Sequence, residues 1–371
     1  MMALSLLKPC LLVFFVFALS DAWLVPQKCA RKRNCVSCTK TKSWSGKSCR
    51  WCPTDKKCHA HGAVFTNPCS RTQNIDIPSG CASIVNVNYD KSLAYKMVYL
   101  CALAYADSVS KYIPKATQVR SFRLVRQVTK PCQGNAKCSG FVAVSHTERA
   151  IAVAFRGSEH LQQVIIQALK ILTTPKISFP AGGKVQKYFN DVYNLIWSQL
   201  KSDVYAQITK YPNYKVWVTG HSLGGAIASL ASTALSSEGY TSKSNLYMYT
   251  FGQPRVGNYK YALAHDKFVP ISFRVTHYRD PVVHLPTCKK ILGVCNALTG
   301  GPYHHGREIY YGSEKMTQTS SYKTCTGLPN NEDVTCSNNP AVWGKCILQL
   351  PKCIDDHKKY FDITVGGWWK S

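Results

Sequence analysis

Residues 215–231 read KVWVTGHSLGGAIASLA, and this stretch decides the fold. A short β-prone run, 215–219, passes directly into Gly220-His221-Ser222-Leu223-Gly224, and an alanine-rich helical run follows at once. A G-x-S-x-G pentapeptide is weak alone, but a strand before it and a helix after it make the setting of a nucleophile elbow. There the serine must sit in a sharp, strained turn so that its hydroxyl stands clear of the sheet. Gly220 and Gly224 lack the β-carbons that would collide in such a turn, while Gly225, Ala226 and Ala228 let the helix press closely on the strands. The helix N-terminus also offers positive partial charge to a developing oxyanion. An ordinary strand-to-helix turn with an incidental serine is the competing reading, and both flanks weigh against it.

Outward from the elbow, residues 86 to about 312 alternate β-rich runs with helical stretches, the pattern of an α/β sheet. Strands are expected at 140–145, 150–155, 215–219, 246–251 and 271–278. They are near-continuous apolar runs, as in strands covered on both faces. Helical patterns lie at 92–108, 185–211 and 223–236.

A serine hydroxyl needs a base to take its proton and an acid to hold that base. In a sheet of this kind the acid and then the histidine follow the serine along the chain. The strand expected at 271–278 ends in Arg279-Asp280-Pro281, so Asp280 falls just past its carboxyl end, on the edge that carries the elbow. A turn-capping aspartate would look the same. Asp266 is the rival, within a helical, polar stretch. For the base, 303–311 (YHHGREIYY) is the strongest segment, and Gly300, Gly301 and Gly306 mark it as loop. His277 and His284 read better as strand-side or loop histidines. The residues alone leave His304 and His305 unseparated.

The chain has 371 residues, 45 % of them hydrophobic, which is room for one large domain and a small one. Lys8, the apolar run 11–19 and small residues at Ser20 and Ala22 fit a signal peptide over 1–22. That run is too short to span a bilayer, and no other stretch is long and apolar enough, so a secreted chain without a transmembrane segment is expected. Of 18 cysteines, Cys10 lies in the signal and 17 remain. In an oxidising compartment these form a disulfide framework with an odd thiol left over. Cys101, in the helical pattern beside Leu100 and Leu103, is the candidate for it. Cys132–Cys138, Cys288–Cys295 and Cys346–Cys353 are local candidate pairs.

Residues 24–85 hold eight cysteines and few aliphatic residues, a module that disulfides must stabilise. The spacing Cys35-x-x-Cys38 and Cys49-x-x-Cys52 also resembles a zinc site, but the pairs lie too close together and secretion favours oxidation. The formal net charge is +27, with 46 Lys and Arg against 19 Asp and Glu. Such a charge favours anionic surfaces, and secretion makes nucleic acid the least fitting of these. No HExxH, EF-hand or nucleotide loop is present, nor any N-x-S/T sequon; neither metal nor cofactor is expected.

Five motifs in one order carry a resemblance. VAFRGS at 153–158, GHSLGG at 220–225, TFGQPRVGN at 250–258, RDPVVHLP at 279–286 and YHHGREIYY at 303–311 resemble the class 3, or fungal-lipase-like, family over about residues 90–365. Residues 356–361 (DHKKYF) resemble the family's closing helix. The resemblance implies an α/β-hydrolase fold and a carboxylic ester hydrolase that acts on acylglycerols without a cofactor. It implies a triad of Ser222, Asp280 and His304, with His305 as neighbour, and backbone oxyanion donors at Ser158 and Leu223. It also supports pairing Cys325 with Cys336. The family has its lid after the position of Ser158, where apolar residues at 161, 164, 165, 168, 169 and 172 follow one helix face; a packed core helix would show the same stripe. Cys49-Arg50-Trp51-Cys52 within its cysteine string resembles the PSI (plexin–semaphorin–integrin) module. The expected organisation is therefore a signal at 1–22, a PSI-like module at 24–85 and a lipase domain at 86–371. A phospholipase or other ester hydrolase acting at an anionic lipid surface is the second reading. A secreted binding protein, with the cysteine-rich module as its working part, is the third.

Overall fold

The computed structural model describes residues 28–370 apart from 53–54, 64–65, 70–73, 77–87, 133–135, 159–174, 292–293, 327–330, 340, 342–343, 345 and 347–348. The expected signal at 1–22 and the lid expected over 161–172 lie outside the described residues. The chain divides into two compact units, 1–78 and 79–371.

In the first unit, helix α1 (Cys35–Lys40) starts at Asn34, whose side chain accepts from the Ser37 N–H at 2.8 Å. Strands β1 (Arg50–Cys52) and β2 (Lys57–His59) pair antiparallel. Cys29–Cys49, Cys38–Cys58 and Cys52–Cys69 bridge these elements, and Cys35 is disulfide-bonded as well. Cys38, Cys49 and Cys52 thus go to three different bridges and do not gather round a zinc ion. With Trp51 and Ile75 as its buried non-cysteine hydrophobes among the described residues, the unit depends on those bridges for stability.

The second unit is an α/β sandwich. After helix α2 (Lys91–Leu103) come β3 (Arg123–Pro131), β4 (Lys137–Ser145), β5 (Ala150–Phe155), helix α3 (Lys187–Lys210), β6 (Lys215–His221), helix α4 (Leu223–Ser237), β7 (Leu246–Phe251), helix α5 (Tyr259–Phe268), β8 (Ser272–His277), β9 (Arg307–Tyr311), β10 (Lys323–Thr324) and helix α6 (Leu350–Lys358). The eight strands β3 to β10 lie side by side in sequence order. From β5 to β9 they run parallel, and the outer pairs are antiparallel.

Alternation along the strands explains the layers. Val142, Val144, Ile151, Val153, Val216, Val218, Leu246 and Met248 pack against α3 and α4. Phe141, Ala143, Ala152, Ala154, Trp217, Tyr249 and Phe251 pack instead with α2 and the segment 360–365. Both faces are covered, which accounts for the continuous apolar runs. The five strands expected from sequence are present, as are the three helices, although α2 stops at Leu103.

Three strands of the sheet escaped sequence reading: β3, β9 and the two-residue β10. β3 is an edge strand with Arg123, Arg126 and Lys130 exposed and its register shifted between Leu124 and Arg126, so its pattern is polar and broken. The loop expected over 303–311 holds for 304–306 alone and is otherwise corrected: Gly306, at φ +67°, turns the chain into β9, whose Ile309 and Tyr311 are buried.

Cys132–Cys138, Cys288–Cys295, Cys325–Cys336 and Cys346–Cys353 are bridged as expected. Cys101 is the free cysteine among the described residues; it is buried with Sγ 3.0 Å from Thr219 Oγ1. Burial pushes its thiol up to about 12, the Thr219 hydrogen bond only partly opposing this.

Buried charges tie the loops together. Arg255, after β7, makes a two-pronged pair with Glu332, Nε to Oε1 and Nη2 to Oε2, both at 2.8 Å. Glu332 also accepts from the His304 N–H and from Asn338. Asp266 is buried at the end of α5, accepting from the Gly306 N–H at 2.7 Å and from Asn331 at 2.9 Å. Burial pushes its carboxyl up to about 7, against the pull of those two donors.

Two predictions follow from these charges. Glu332→Ala strands the Arg255 guanidinium and lowers unfolding free energy by about 3–5 kcal/mol. Urea denaturation should show this, with Arg255→Met combined with Glu332→Leu losing less than Glu332→Ala alone. For Asp266 the native state holds the proton more tightly than the unfolded chain. Its stabilising contribution is full below the ordinary carboxylate value of 3.8 and is lost as pH rises through about 7. Asp266→Asn should flatten stability against pH across that window; an unchanged slope refutes the assignment.

Candidate active site

β6 delivers Ser222 and α4 leaves directly from it. Ser222 has φ +58° and ψ −127°, a conformation that costs a non-glycine residue about 1–3 kcal/mol and persists only where its surroundings enforce it. Its N–H donates to the Phe251 carbonyl at 2.9 Å and its carbonyl accepts from the Gly225 N–H. The glycines are needed for close approach. A β-carbon at Gly220 would overlap the Gly224 carbonyl, and one at Gly224 would overlap the Phe155 carbonyl. A β-carbon at Gly157 would collide with the Tyr105 hydroxyl and lie 3.1 Å from Ser222 Cβ, so the loop leading to Ser158 rests on the elbow itself. Leu223 opens α4, where N–H groups have no helical acceptor.

Asp280 follows β8, where sequence reading put it. It is buried, and its carboxylate has three partners: His357 Nδ1 donates to both oxygens at 2.8 Å, the Tyr360 hydroxyl to Oδ2 at 2.6 Å, and the Val282 N–H to Oδ1 at 2.8 Å. Burial works against its ionisation, but the imidazole and the other two donors outweigh that and hold the carboxyl below its ordinary range. With Nδ1 donating, His357 turns Nε2 out as an acceptor. His357 Nε2 and Ser222 Oγ are both buried, and neither hydrogen-bonds any described residue. Both belong to residues set against the Phe251–Gly252 peptide: Ser222 through its N–H, and His357 through its ring, which a β-carbon on Gly252 would meet at 2.7 Å.

Helix α6 is held to the end of β8 by a double clamp. Arg279 Nε donates to Asp356 at 3.2 Å, beside the Asp280–His357 pair. His277 Nδ1 donates to the Asp356 carbonyl at 2.9 Å, and Arg279 Nη1 reaches Gln349. The Cys346–Cys353 bridge fastens the start of the helix. A second set of bonds runs from the elbow. His221 Nε2 donates to the His357 carbonyl at 2.8 Å, while its Nδ1 accepts from the Tyr105 hydroxyl at 2.8 Å. Tyr105 in turn accepts from the Gly157 N–H. Burial, reinforced by His357, pushes the His221 imidazole down to about 3, so it stays neutral in the tautomer these bonds require.

His304, expected as the base, does not reach Asp280. Its Nε2 donates to the Val283 carbonyl at 2.8 Å and its N–H to Glu332. The physical reason is β9: Arg307 pairs with Phe273 near the start of β8, whereas Asp280 lies beyond that strand's end. His305 bonds Ser229 and Gln253. His305, His265 and Asp266 bring possible ligand atoms within 4.8 Å of one another. Their bonds to Ser229, Thr233, Ser272, Gly306 and Asn331 make the trio a packed polar cluster. The histidine that sequence reasoning passed over is His357. Two signals marked it: the DHKKYF run, and an acidic residue next to a histidine that could match the Arg279-Asp280 pair.

The Lipase (class 3) family model matches residues 152–290. That span includes Ser222 and Asp280 and stops short of both His304 and His357. A lipase of Caenorhabditis elegans is 33 % identical over 300 residues, covering 77 % of this chain and 83 % of that relative. The lipase of Rhizopus microsporus var. chinensis shares the fold with a TM-score of 0.61 at 29 % identity, over 74 % of this chain and 87 % of the other. A solved triacylglycerol lipase, described as having a serine-protease triad for its catalytic centre, matches with a TM-score of 0.60 at 29 % identity, over 74 % and 94 %. With the elbow, the buried Asp280–His357 pair and this degree of likeness together, the chain belongs to the class 3 lipase family and is a carboxylic ester hydrolase of the α/β-hydrolase fold.

Proposed function

We propose that this chain is a secreted lipase that hydrolyses acylglycerol esters through Ser222, His357 and Asp280, with His357 in the place first expected for His304. The observation that carries the reading is the 2.8 Å pair of hydrogen bonds from His357 Nδ1 to Asp280, beside a serine held at positive φ. In this reading Ser222 Oγ attacks the ester carbonyl as His357 Nε2 takes its proton. The oxyanion is received by the backbone N–H groups of Leu223 and Ser158. His357 then returns the proton to the departing alcohol, leaving an acyl group on Ser222. Water, deprotonated by the same Nε2, attacks the acyl carbon; the tetrahedral adduct collapses to the free acid and Ser222 recovers its proton. Asp280 keeps the tautomer and steadies the imidazolium at each transfer. The bond between Oγ and Nε2 is one that tightens when substrate is bound. Secretion is supported by the 1–22 sequence and by bridges throughout both units.

Ser222→Ala and His357→Ala should each lower kcat on an acylglycerol emulsion about a million-fold, and Asp280→Asn about ten-thousand-fold. His304→Gln, folded as judged by circular dichroism, should keep a rate near the parent's; loss of activity there with full activity in His357→Ala would reverse the assignment. Rates on triacylglycerol, phospholipid and a soluble short-chain ester identify the preferred head group. A higher kcat/KM on phospholipid would replace the acylglycerol part of the proposal.

Tyr105 acts here as a positioning residue, through Gly157 on one side and His221 on the other. Tyr105→Phe removes both hydrogen bonds of the hydroxyl, to His221 and from Gly157; a loss of roughly 1.4 kcal/mol expressed in the transition state lowers kcat about tenfold with KM unchanged. A purely structural role would instead lower thermal stability and leave kcat intact.

A further inference from the structure

The first unit carries a feature that ester hydrolysis does not use. Residues 42–48 form a tight turn locked by its own bonds: Ser43 N–H to the Lys47 carbonyl at 2.8 Å, Gly46 N–H to the Ser43 carbonyl at 3.0 Å, and Ser43 Oγ to the Lys47 carbonyl at 2.8 Å. Lys42 and Ser48 close it as a β-bridge, and Gly46 supplies the left-handed residue at φ +72°. At the tip of this ordered turn stands Trp44, 74 % exposed. It is the most exposed large hydrophobe among the described residues, and leaving such a side chain in water is unfavourable.

Cations surround it. Lys42 and Lys47 flank the turn and are exposed, and the Lys28 ammonium lies 5.6 Å from the Trp44 ring centroid. The Cys29–Cys49 bridge joins the residue after Lys28 to the strand that leaves the turn, which is why Lys28 reaches the ring. The charge extends beyond the tip. Between residues 28 and 76 there are eleven Lys and Arg against two Asp, and one of those, Asp55, is paired with His59. Lys28, Arg31, Arg33, Lys40, Lys56 and Lys57 are exposed with the two flanking lysines.

We propose that this tip is a docking surface for anionic phospholipid membranes, with Trp44 entering the interface and the lysines engaging the lipid phosphates. Indoles settle at the head-group level of a bilayer, and each basic residue near an anionic surface strengthens binding about fivefold. A polyanionic sugar would use the charge but has no need of the apolar ring, one face of which is already taken by Lys28. Docking is independent of the triad. Because the unit belongs to the same chain, it raises the enzyme's local concentration at a lipid surface.

The test uses the full-length chain carrying Ser222→Ala, so that vesicles stay intact whatever the fate of the catalytic reading. Co-sedimentation is measured with phosphatidylcholine vesicles and with phosphatidylcholine–phosphatidylserine vesicles, and binding to heparin is measured alongside. The expected result is binding to the anionic vesicles alone. It should weaken about 25-fold in Lys42→Ala/Lys47→Ala, and several-fold in Trp44→Ala, with high salt abolishing it. Trp44→Ala in the otherwise wild-type chain should keep its rate on a soluble short-chain ester, which shows that the enzyme is folded. Equal binding to neutral and anionic vesicles, or anionic binding untouched by Trp44→Ala, overturns the proposal. Heparin binding with no vesicle binding overturns it too, and assigns the surface to an acidic polysaccharide.

Discussion

The last turn of α6 rests on the end of β8 through four side chains in two pairs: Arg279 with Asp356, and Asp280 with His357. Each pair involves neighbours in sequence on both sides, so neither contact can shift by a residue without breaking the other. This clamp matters more than any single bond because the histidine comes from a helix near the chain's end, far in sequence from the elbow. A buried aspartate facing a neutral ring would favour protonation and release. Against burial the His357 ring acts most strongly; the Tyr360 hydroxyl and the Val282 N–H add donors from two further backbone segments, and together they keep the carboxylate charged where water is excluded. Arg279 brings the compensating cation for Asp356, so the helix end does not bury an unpaired acid.

The elbow is tied to the same place from the opposite direction. His221 precedes the strained serine and bonds the backbone of His357, not its ring. A change in the elbow is therefore passed to the position of the helix, while the chemistry of the imidazole is left to Asp280. Tyr105 extends this link to Gly157 and so to the loop that carries Ser158. Ser222, His357 and the loop that carries Ser158 are thus joined by one set of hydrogen bonds among neutral groups.

Much of this was legible in the sequence. The elbow could be read because backbone crossing admits only glycine at 220 and 224, and the central strands because both faces are covered. Asp280 was legible as the residue past a strand end. The base was not. Every histidine after Asp280 satisfies the chain order, and the glycines near His304 mark loop at 304–306 without showing that β9 follows. What separates His304 from His357 is the partner each ring meets, the Val283 carbonyl for one and the Asp280 carboxylate for the other, which local spacing does not contain. β3 was hidden for a different reason: an edge strand facing water has no apolar pattern to display.

Cys101 has a consequence for how the molecule is assembled. Exchange among bridges requires a thiolate to attack, and the one spare sulfur among the described residues is held protonated between α2 and β6. Once that helix has docked, Cys101 cannot attack the bridges of the described residues. Before docking, the same thiol is an ordinary competitor for every other cysteine in the chain. Docking of the hydrophobic helix thus withdraws this thiol from exchange with the other cysteines.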